Sequence, residues 1–551
     1  MSVFEEGPSV AKVITGGSLT FLMAMIAGGL AWVFGIAFTY EDFGLGKDAY
    51  GVFITGQAII VLIVCITWGV NQSIQKYVAE FLVTDKEKAE LYARNGTIII
   101  IIFALVTCII NCTIGLLLFP YDSMIGLLLL IIGPTILIIS LKEGIVGNIA
   151  AIQRFDHVAV INACMALGLF AVGIPLIFFI KGHYPSTQYA AIAPLTLFGL
   201  TVGYFIQFLV AWYYGRKSLP FEIKKLYAGP KDIRIMGKIF KYGLYCAIPT
   251  IILSGAILWI PALLMSFILG PATPGLYGVI VGYSFVMLTI SFMGWPMISA
   301  VSEARAMGDQ KLIDDYFRSN IKSSFNFIAL FLTIFVGLSR PILALFHGSE
   351  FIEGHIPFII LSIGVSLLAL EFICCTILIG VGEGRKASYV FIALTLCEII
   401  LTVLFINLFP ANIVNYAPTS AILISSLIVL PIIPKLLKSH ITVPFPKHTL
   451  WKGSMSVIIA LGVGFLIDSF IFSFVSLTGF VIGILILAGM YLLSMLLLAG
   501  YDDEDFEMIY DSLKTFKLTA LTNAIKTFQK ITQKSPFYKK SKKSDDGEKE
   551  N

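Results

Sequence analysis

Leu45-Gly46-Lys47-Asp48-Ala49-Tyr50-Gly51-Val52 and Leu269-Gly270-Pro271-Ala272-Thr273-Pro274-Gly275-Leu276-Tyr277-Gly278-Val279 share an LG…YG-apolar pattern, and each follows a long apolar stretch. The likeness continues along the chain. Val78-Ala79-Glu80 corresponds to Val301-Ser302-Glu303, Tyr92-Ala93-Arg94-Asn95 to Tyr316-Phe317-Arg318-Ser319-Asn320, and Gln153-Arg154-Phe155 to Gly384-Arg385-Lys386. The offset stays between 223 and 231 residues, so one long unit occurs twice.

Both copies are built of apolar runs. Of the 551 residues 58% are hydrophobic and only 13% charged, and the mean hydropathy is +0.90. A soluble domain carries about a quarter charged residues, and a membrane-crossing helix needs about 20 mostly apolar ones. Fourteen such runs succeed one another, from 13–38 through 240–268 to 476–499. The first is too long for the roughly 7–15-residue core of a cleavable signal peptide and is expected as the first span. The expected fold is an all-α integral membrane protein of about 14 helices, two six-helix repeats plus two extra helices. Six is even, so both repeats start from the same side and are related by an axis along the membrane normal. The expected divisions are a lobe over 1–215, a basic connection over 216–239, a second lobe over 240–438, the extra pair over 449–500 and a tail over 501–551.

The basic residues orient this frame. With residues inside a span assigned to its nearer end, 35 of the 38 Lys and Arg fall at the N-terminus, in the even-numbered connections and in the tail. Lys47, Lys181 and Arg340 fall on the other side. The positive-inside rule then puts both termini in the cytoplasm of a cell-membrane protein. The eight cysteines lie inside apolar runs, and the six histidines sit at span ends and in loops without metal-ligand spacing. There is no GxxxxGK[ST] phosphate loop. No metal, cofactor, nucleic acid or enzymatic activity is expected, and the chain is expected to act as a monomer.

Ionisable groups within spans are expensive and mark function by default. Lys142 and Glu143 are adjacent in the fourth span, with Asn148 one turn on, and Lys142 is the basic residue furthest from either end of its span. Asn71, Gln72, Gln75 and Lys76 close the second span, and Arg154 follows the fourth. The expected substrate-binding set is Lys142, Glu143, Arg154, Asn71, Gln72 and Lys76, with Lys142 facing a cavity between the lobes. Glu371, which the offset pairs with Glu143, is with Glu143 the candidate for a coupling ion. Glu398 and Asp468 are expected to be structural or protonated, Lys142 has the alternative of pairing with a carboxylate to hold helices together, and Lys76 that of reaching the membrane surface along its own stem.

The LG…YG turn (Leu45, Gly46, Tyr50, Gly51), the polar stretch Gly69–Glu80 ending in Ala79-Glu80, the recurrence of the turn and the 14-span frame together resemble the polysaccharide-transporter family. That family belongs to the multidrug/oligosaccharidyl-lipid/polysaccharide flippase superfamily. The resemblance implies a flippase for saccharides linked to a polyprenyl phosphate, with membrane lipids as surroundings. The alternative is a cation-coupled exporter of small amphipathic molecules; multidrug-and-toxin extrusion antiporters of the same superfamily usually have 12 spans and lipid II flippases 14, so the last two spans here favour the saccharide-lipid branches.

After Gly500 the composition changes. Tyr501-Asp502-Asp503-Glu504-Asp505 suits the positive end of a helix dipole. Ile509, Leu513, Phe516, Ala520, Ala524, Phe528 and Ile531 then recur every three or four residues among lysines. An amphipathic helix is expected, either on anionic lipid or docked on the bundle.

Overall fold

Inside lipid a backbone must satisfy its own polar groups, so apolar runs of this length cross as helices. A computed structural model describes residues 10–39, 44–45, 47–251, 257–269, 274–347, 349–410, 413–470, 476–503, 505–507, 510 and 522–538. Gly46 and 270–273 of the two LG…YG turns lie outside the described residues, as do Ile509, Leu513, Phe516 and Ala520 of the tail pattern.

The bundle is all-helical. α1 is Val10–Thr39, α2 Lys47–Thr84, α3 Lys86–Leu118, α4 Ser123–Ala151, α5 Phe155–His183 and α6 Ser186–Ser218. α7 comprises Ile233–Ile251 and Ile257–Leu269, and α8 runs from Pro274–Thr289 through a 3-10 turn into Pro296–Met307. α9 is Gln310–Gly337, α10 His355–Gly380, α11 Gly384–Leu408, α12 Tyr416–Leu437, α13 Lys447–Phe470 and α14 Leu477–Leu497. Among the described residues, 13 helical segments are long and apolar enough to cross a membrane. The fourteenth expected span, 240–268, falls in the two pieces of α7. That helix also starts at Ile233, earlier than hydropathy alone places it, because Asp232 caps it by accepting from the amides of Arg234 (2.8 Å) and Ile235 (3.2 Å).

Packing repeats as the sequence does. α2 packs on α3 and α4, α3 on α4, α4 on α6, α5 on α6, and α1 on α5. Six helices on, α8 packs on α9 and α10, α9 on α10, α10 on α12, α11 on α12, and α7 on α11. The seam between the halves obeys the same rule: α7 crosses to α2, and α1 crosses to α8, while α2 and α8 meet each other. Both crossings use a glycine. A Cβ on Gly69 of α2 would run into the carbonyl oxygen of Gly243 of α7, and one on Gly17 of α1 would lie 2.7 Å from that of Met293 of α8. The extra helices α13 and α14 pack on α9, outside the seam.

The halves are joined along only part of their length. The end bearing Lys76, Arg94, Arg216 and Arg305 is called the basic end here. There, one continuous hydrophobic core holds Val70–Ala79, Ala89–Ile100 and Ile145–Ile161 of the first lobe together with the second lobe. Away from it, Phe34, Phe38, Phe53, Ile60, Leu128, Ile136, Leu169, Ile180 and Leu197 form a separate core belonging to the first lobe alone. α7 changes partners accordingly. Ile233–Ile251 packs on α2 and α3 across the seam as well as on α11, whereas Ile257–Leu269 packs on α8, α11 and α12 of its own lobe. Gly28 and Gly29 of α1 and Gly282 of α8 have open space where a Cβ would stand. The core common to both lobes thus lies at the basic end, and the far end of the first lobe has a core of its own.

The start of the third helix in each lobe anchors the connection that leaves the sixth. Asn95 accepts from the amide of Asp232 at 2.9 Å, and Arg94 donates to the carbonyl of Lys225 at 2.9 Å, fixing the basic connection on α3. On α9, Asp314 accepts from the amide of Thr442 at 3.0 Å and also from its hydroxyl.

Candidate functional site

α2 is the central helix of the molecule, packed on α4, α7 and α8. Residues three and four apart share a helix face, so Trp68 and Asn71 both point at α4. Asn71 Nδ2 donates to Glu143 Oε2 at 2.5 Å and to the Glu143 carbonyl at 3.1 Å, and Trp68 Nε1 donates to Glu143 Oε1 at 3.2 Å. Lys142 Nζ lies 2.5 Å from the same carboxylate oxygen and 5.9 Å from the ring centre of Tyr204 on α6. Gly147 leaves room for Asn71, since a Cβ there would sit 3.1 Å from its amide carbon. A charge in an apolar interior is tolerated only when paired and hydrogen-bonded. Glu143 meets that condition with a cation and two neutral donors.

Lys142 is 4% exposed and sits among α2, α4 and α6 of the first lobe, so it does not face the seam. The expectation that it lines a cavity between the lobes is corrected on this point. Asn148 turns the other way, donating to the carbonyl of Gly144 at 2.7 Å and lying 3.4 Å from the Thr97 hydroxyl on α3.

The remaining residues of the polar run lie in the seam. Gln75 donates to the Trp295 carbonyl (3.1 Å) and to Ser299 Oγ (3.3 Å), and it accepts from Trp295 Nε1 at 2.9 Å. Gln75 and Ser299 are 224 residues apart, so equivalent positions of the two repeats touch, and the axis relating the lobes passes between them. Both belong to the basic end, as a rotation along the bundle requires. Ser73 donates to the Ile239 carbonyl of α7 at 3.1 Å. Lys76 is buried rather than extended to the surface. Its Nζ pairs with Glu80 at 2.5 Å and lies 4.2 Å from the Tyr77 ring centre, and its stem rests against the turn at Gly382. Gln153 donates to Glu303, a further tie across the seam, while Tyr242 donates to the Ile379 carbonyl at 2.5 Å within the second lobe. Gln72 is buried beside them. Arg154 is engaged locally: it grips both oxygens of Asp156 (3.1 and 3.0 Å) and lies 2.7 Å from His157 Nε2.

The turns after α4 and α10 fix the register of the repeat. Gln153 N bonds Ala150 O and Arg154 N bonds Ile149 O; 229 residues on, Gly382 N bonds Ile379 O and Glu383 N bonds Leu378 O. Gln153 and Gly382 both have positive φ, 57° and 89°. Gln153 therefore matches Gly382 rather than Gly384, and the sequence pairing is corrected by two residues. The same register sets Glu371 opposite Lys142, one residue from its expected match with Glu143. Glu371 is fully buried on α10, and neither carboxylate oxygen has a hydrogen-bond partner among the described residues. Glu398 on α11 shares both properties, and Asp468 on α13 is half-buried. Sequence reasoning did not single out Trp68, Tyr204, Tyr242, Trp295 or Gly382. The aromatics merge into apolar runs, and only the short spacing from Gly382 to Gly384 hinted at a turn.

No protein-family model matches the chain, and no curated protein matches it in sequence. Several solved structures share its fold. A MATE bound to MaD3S is similar with a TM-score of 0.65 at 15% identity, over 79% of this chain and 98% of that one. The outward-facing conformation of a multidrug resistance MATE family transporter of the MOP superfamily gives 0.61 at 16%, over 84% and 98%. A MOP superfamily transporter from Pyrococcus furiosus, described as having a binding pocket of reversed polarity that suggests a different function, gives 0.63 at 16%, over 79% and 97%. The chain has the two-lobed membrane fold of MATE and other MOP superfamily transporters.

Proposed function

We propose that the protein is an alternating-access exporter of small amphipathic molecules, driven by a cation gradient across the cell membrane, with the basic end and both termini in the cytoplasm. One observation carries the reading: the core common to both lobes lies at the basic end while the far end of the first lobe has a core of its own, so a single rocking motion that breaks the shared core would exchange the open side. The segments 1–215 and 240–438 act as the two rocking units, and 216–239 tethers them. The polar seam ties at Ser73, Gln75 and Gln153 are few among the described residues, so they can break and re-form within a cycle.

The charges divide the work. Lys142, Glu143, Asn71 and Gln72, with Lys76 and Arg154 nearer the basic end, offer partners to the polar part of a substrate once the lobes shift. Glu371 is the first candidate for the coupling ion and Glu143 the second. A bare carboxylate buried without donors costs several kcal/mol, so Glu371 has reason to hold a proton or cation in one state and release it in the other.

A second reading, the flipping of a saccharide linked to a polyprenyl phosphate, is favoured by α13, α14 and the tail. The solved transporters leave about a fifth of this chain unmatched, close to the share that follows Leu437. Reconstituted vesicles separate the two. Under a proton or sodium gradient, a fluorescent organic cation should be moved only when the protein is present. If that cation stays put while a labelled lipid-linked oligosaccharide changes leaflet, the exporter reading fails and the flippase reading replaces it.

A further inference from the structure

The tail helix Thr522–Gln533 is docked on the bundle, yet the groups that dock it are not the apolar ones the sequence offers. Gln529 and Gln533 donate to Asp503 at 3.2 and 3.1 Å, and Tyr538 donates to the same carboxylate. Ser535 donates to the Leu497 carbonyl at 2.5 Å, and Lys452 reaches the carbonyls of Ala499 (2.7 Å) and Phe537 (3.3 Å). Leu497 is the last residue of α14, and Lys452 lies in the second turn of α13. The helix is thereby held at the level where two membrane-spanning helices leave the bilayer at the basic end.

The helix keeps a line of exposed cations. Lys526, Lys530 and Lys534 recur every four residues, so they form one stripe, and all three are exposed. Phe528 and Phe537 remain 40% and 57% exposed. From Thr522 to Tyr538 there is no Asp or Glu, and Lys539, Lys540, Lys542 and Lys543 follow in the sequence. A lysine stripe alone is ordinarily a solvated face. Phe528, two residues from Lys526 and from Lys530, lies on the opposite side of the helix, and a ring face opposed to a lysine face at the ends of membrane helices matches a helix lying in the interface, its rings in the headgroup layer and its lysines reaching anionic phosphates along their stems.

We propose that Thr522–Tyr538 is a lipid-binding surface that grips the anionic headgroups of the protein's own membrane at the basic end, through Lys526, Lys530 and Lys534 with Phe528 and Phe537. The proposal rests on the membrane fold and is independent of the transported substrate. Each lysine near an anionic surface strengthens such contact by about fivefold, and salt screens it.

The test is hydrogen exchange of the 522–538 segment in the full-length protein, held in nanodiscs of phosphatidylcholine with or without phosphatidylglycerol. Protection should rise in the phosphatidylglycerol discs by roughly tenfold or more and fall back at high salt. K526Q/K530Q/K534Q should remove the phosphatidylglycerol-dependent part and leave exchange in α14 unchanged. Should the triple variant not accumulate, the salt arm on the native protein decides alone. Equal protection in both discs, or a gain that survives high salt, would overturn the proposal and leave the helix as bundle packing only. Protection that appears only on adding soluble protein would overturn it in favour of a protein partner.

Discussion

The two lobes present the same frame with different charges. Lys142 in the first lobe has its cation paired within 2.5 Å, and the shared carboxylate of Glu143 takes two further donors. Glu371, at the matching place in the second lobe, has a carboxyl with no donor among the described residues. One lobe therefore holds a neutralised pair and the other a lone acid. A repeat supplies symmetric motion but gives no reason for symmetric chemistry. The difference suggests that the fold's duplication serves the rocking, while the asymmetry serves binding on one side and ion exchange on the other.

The contact of equivalent positions offers the largest effect. Gln75→Cys with Ser299→Cys puts a thiol on each side of the contact in which Nε2 and Oγ now lie 3.3 Å apart; the thiol on α2 ends at the Gln75 Cγ position, so a short reducible bis-thiol reagent bridges the pair. Cross-linking this pair pins the seam shut at the basic end, and transport should drop to background and return on reduction. Undiminished transport with the cross-link in place would show that the lobes need not part there. The single Gln75→Cys variant is the control for the loss of the ties to Trp295.

The buried charges come next. Glu143→Ala strands Lys142 in an apolar interior and should destabilise the protein by about 3–5 kcal/mol. Glu371→Gln replaces an acid that has no partner to lose, so it should cost less than about 1 kcal/mol while uncoupling transport from the cation gradient. Thermal unfolding in detergent compares the two. Equal losses would mean that Glu371 is as firmly partnered as Glu143 and would abolish the contrast between the lobes.

These effects show which parts of the molecule were legible in the sequence. Helix number, the doubled unit and the charged residues within spans follow from apolar run length and an even count of runs, both local properties. The partners are not local. Adjacent residues on a helix point about 100° apart, so the sequence allowed Lys142 a carboxylate partner without naming its own neighbour Glu143 as that partner. Trp68 and Tyr204 reinforce that pair from apolar runs in which they look like any lipid-facing ring. The register slipped because the turns at Gln153 and Gly382 share hydrogen bonds, not residues. The tail split in the same way: its periodicity announced a helix, but Gln529 and Gln533, which dock it, carry no apolar signal.

The anchor of that tail gives a third prediction. Asp502 and Asp505 cap each other's amides at 3.0 and 2.9 Å, and both reach Lys322 of α9, with Arg318 3.8 Å from Asp502. Burial pushes Asp505 from 3.8 up to about 7, against the pull of Lys322. Asp502 feels burial too, but Lys322 holds it below the usual range. The docked segment thus keeps a proton on Asp505 that the free segment gives up near its ordinary value. Docking strength should fall as pH rises toward about 7 and then level off, whereas the share due to Asp502 is lost only on acidification below about 4. Protection over Tyr501–Glu507, taken relative to the intrinsic base-catalysed exchange rate at each pH, should be lower at about pH 8 than at about pH 6, and Asp505→Asn should flatten that dependence. Protection that rises with pH would reverse the assignment.

The smallest effect tests the lobes at their matched turns. Gln153 and Gly382 occupy the same left-handed position, a conformation that costs a non-glycine residue about 1 kcal/mol. Gln153 tolerates it while its side chain ties the seam to Glu303. Gly382 has no side chain, and a Cβ there would come 3.3 Å from Lys76 Cε. Gln153→Gly should relieve the strain and lose one hydrogen bond of about 1 kcal/mol, leaving stability nearly unchanged but the seam looser. Gly382→Ala gains nothing in exchange for its strain and its crowding of Lys76, so it should lose about 1–2 kcal/mol. Melting temperatures read the first contrast, and exchange rates over Gln75–Glu80 read the loosening. If both variants melt alike, the two turns are not under the same constraint, and the register of 229 residues that sets Glu371 opposite Lys142 loses its anchor.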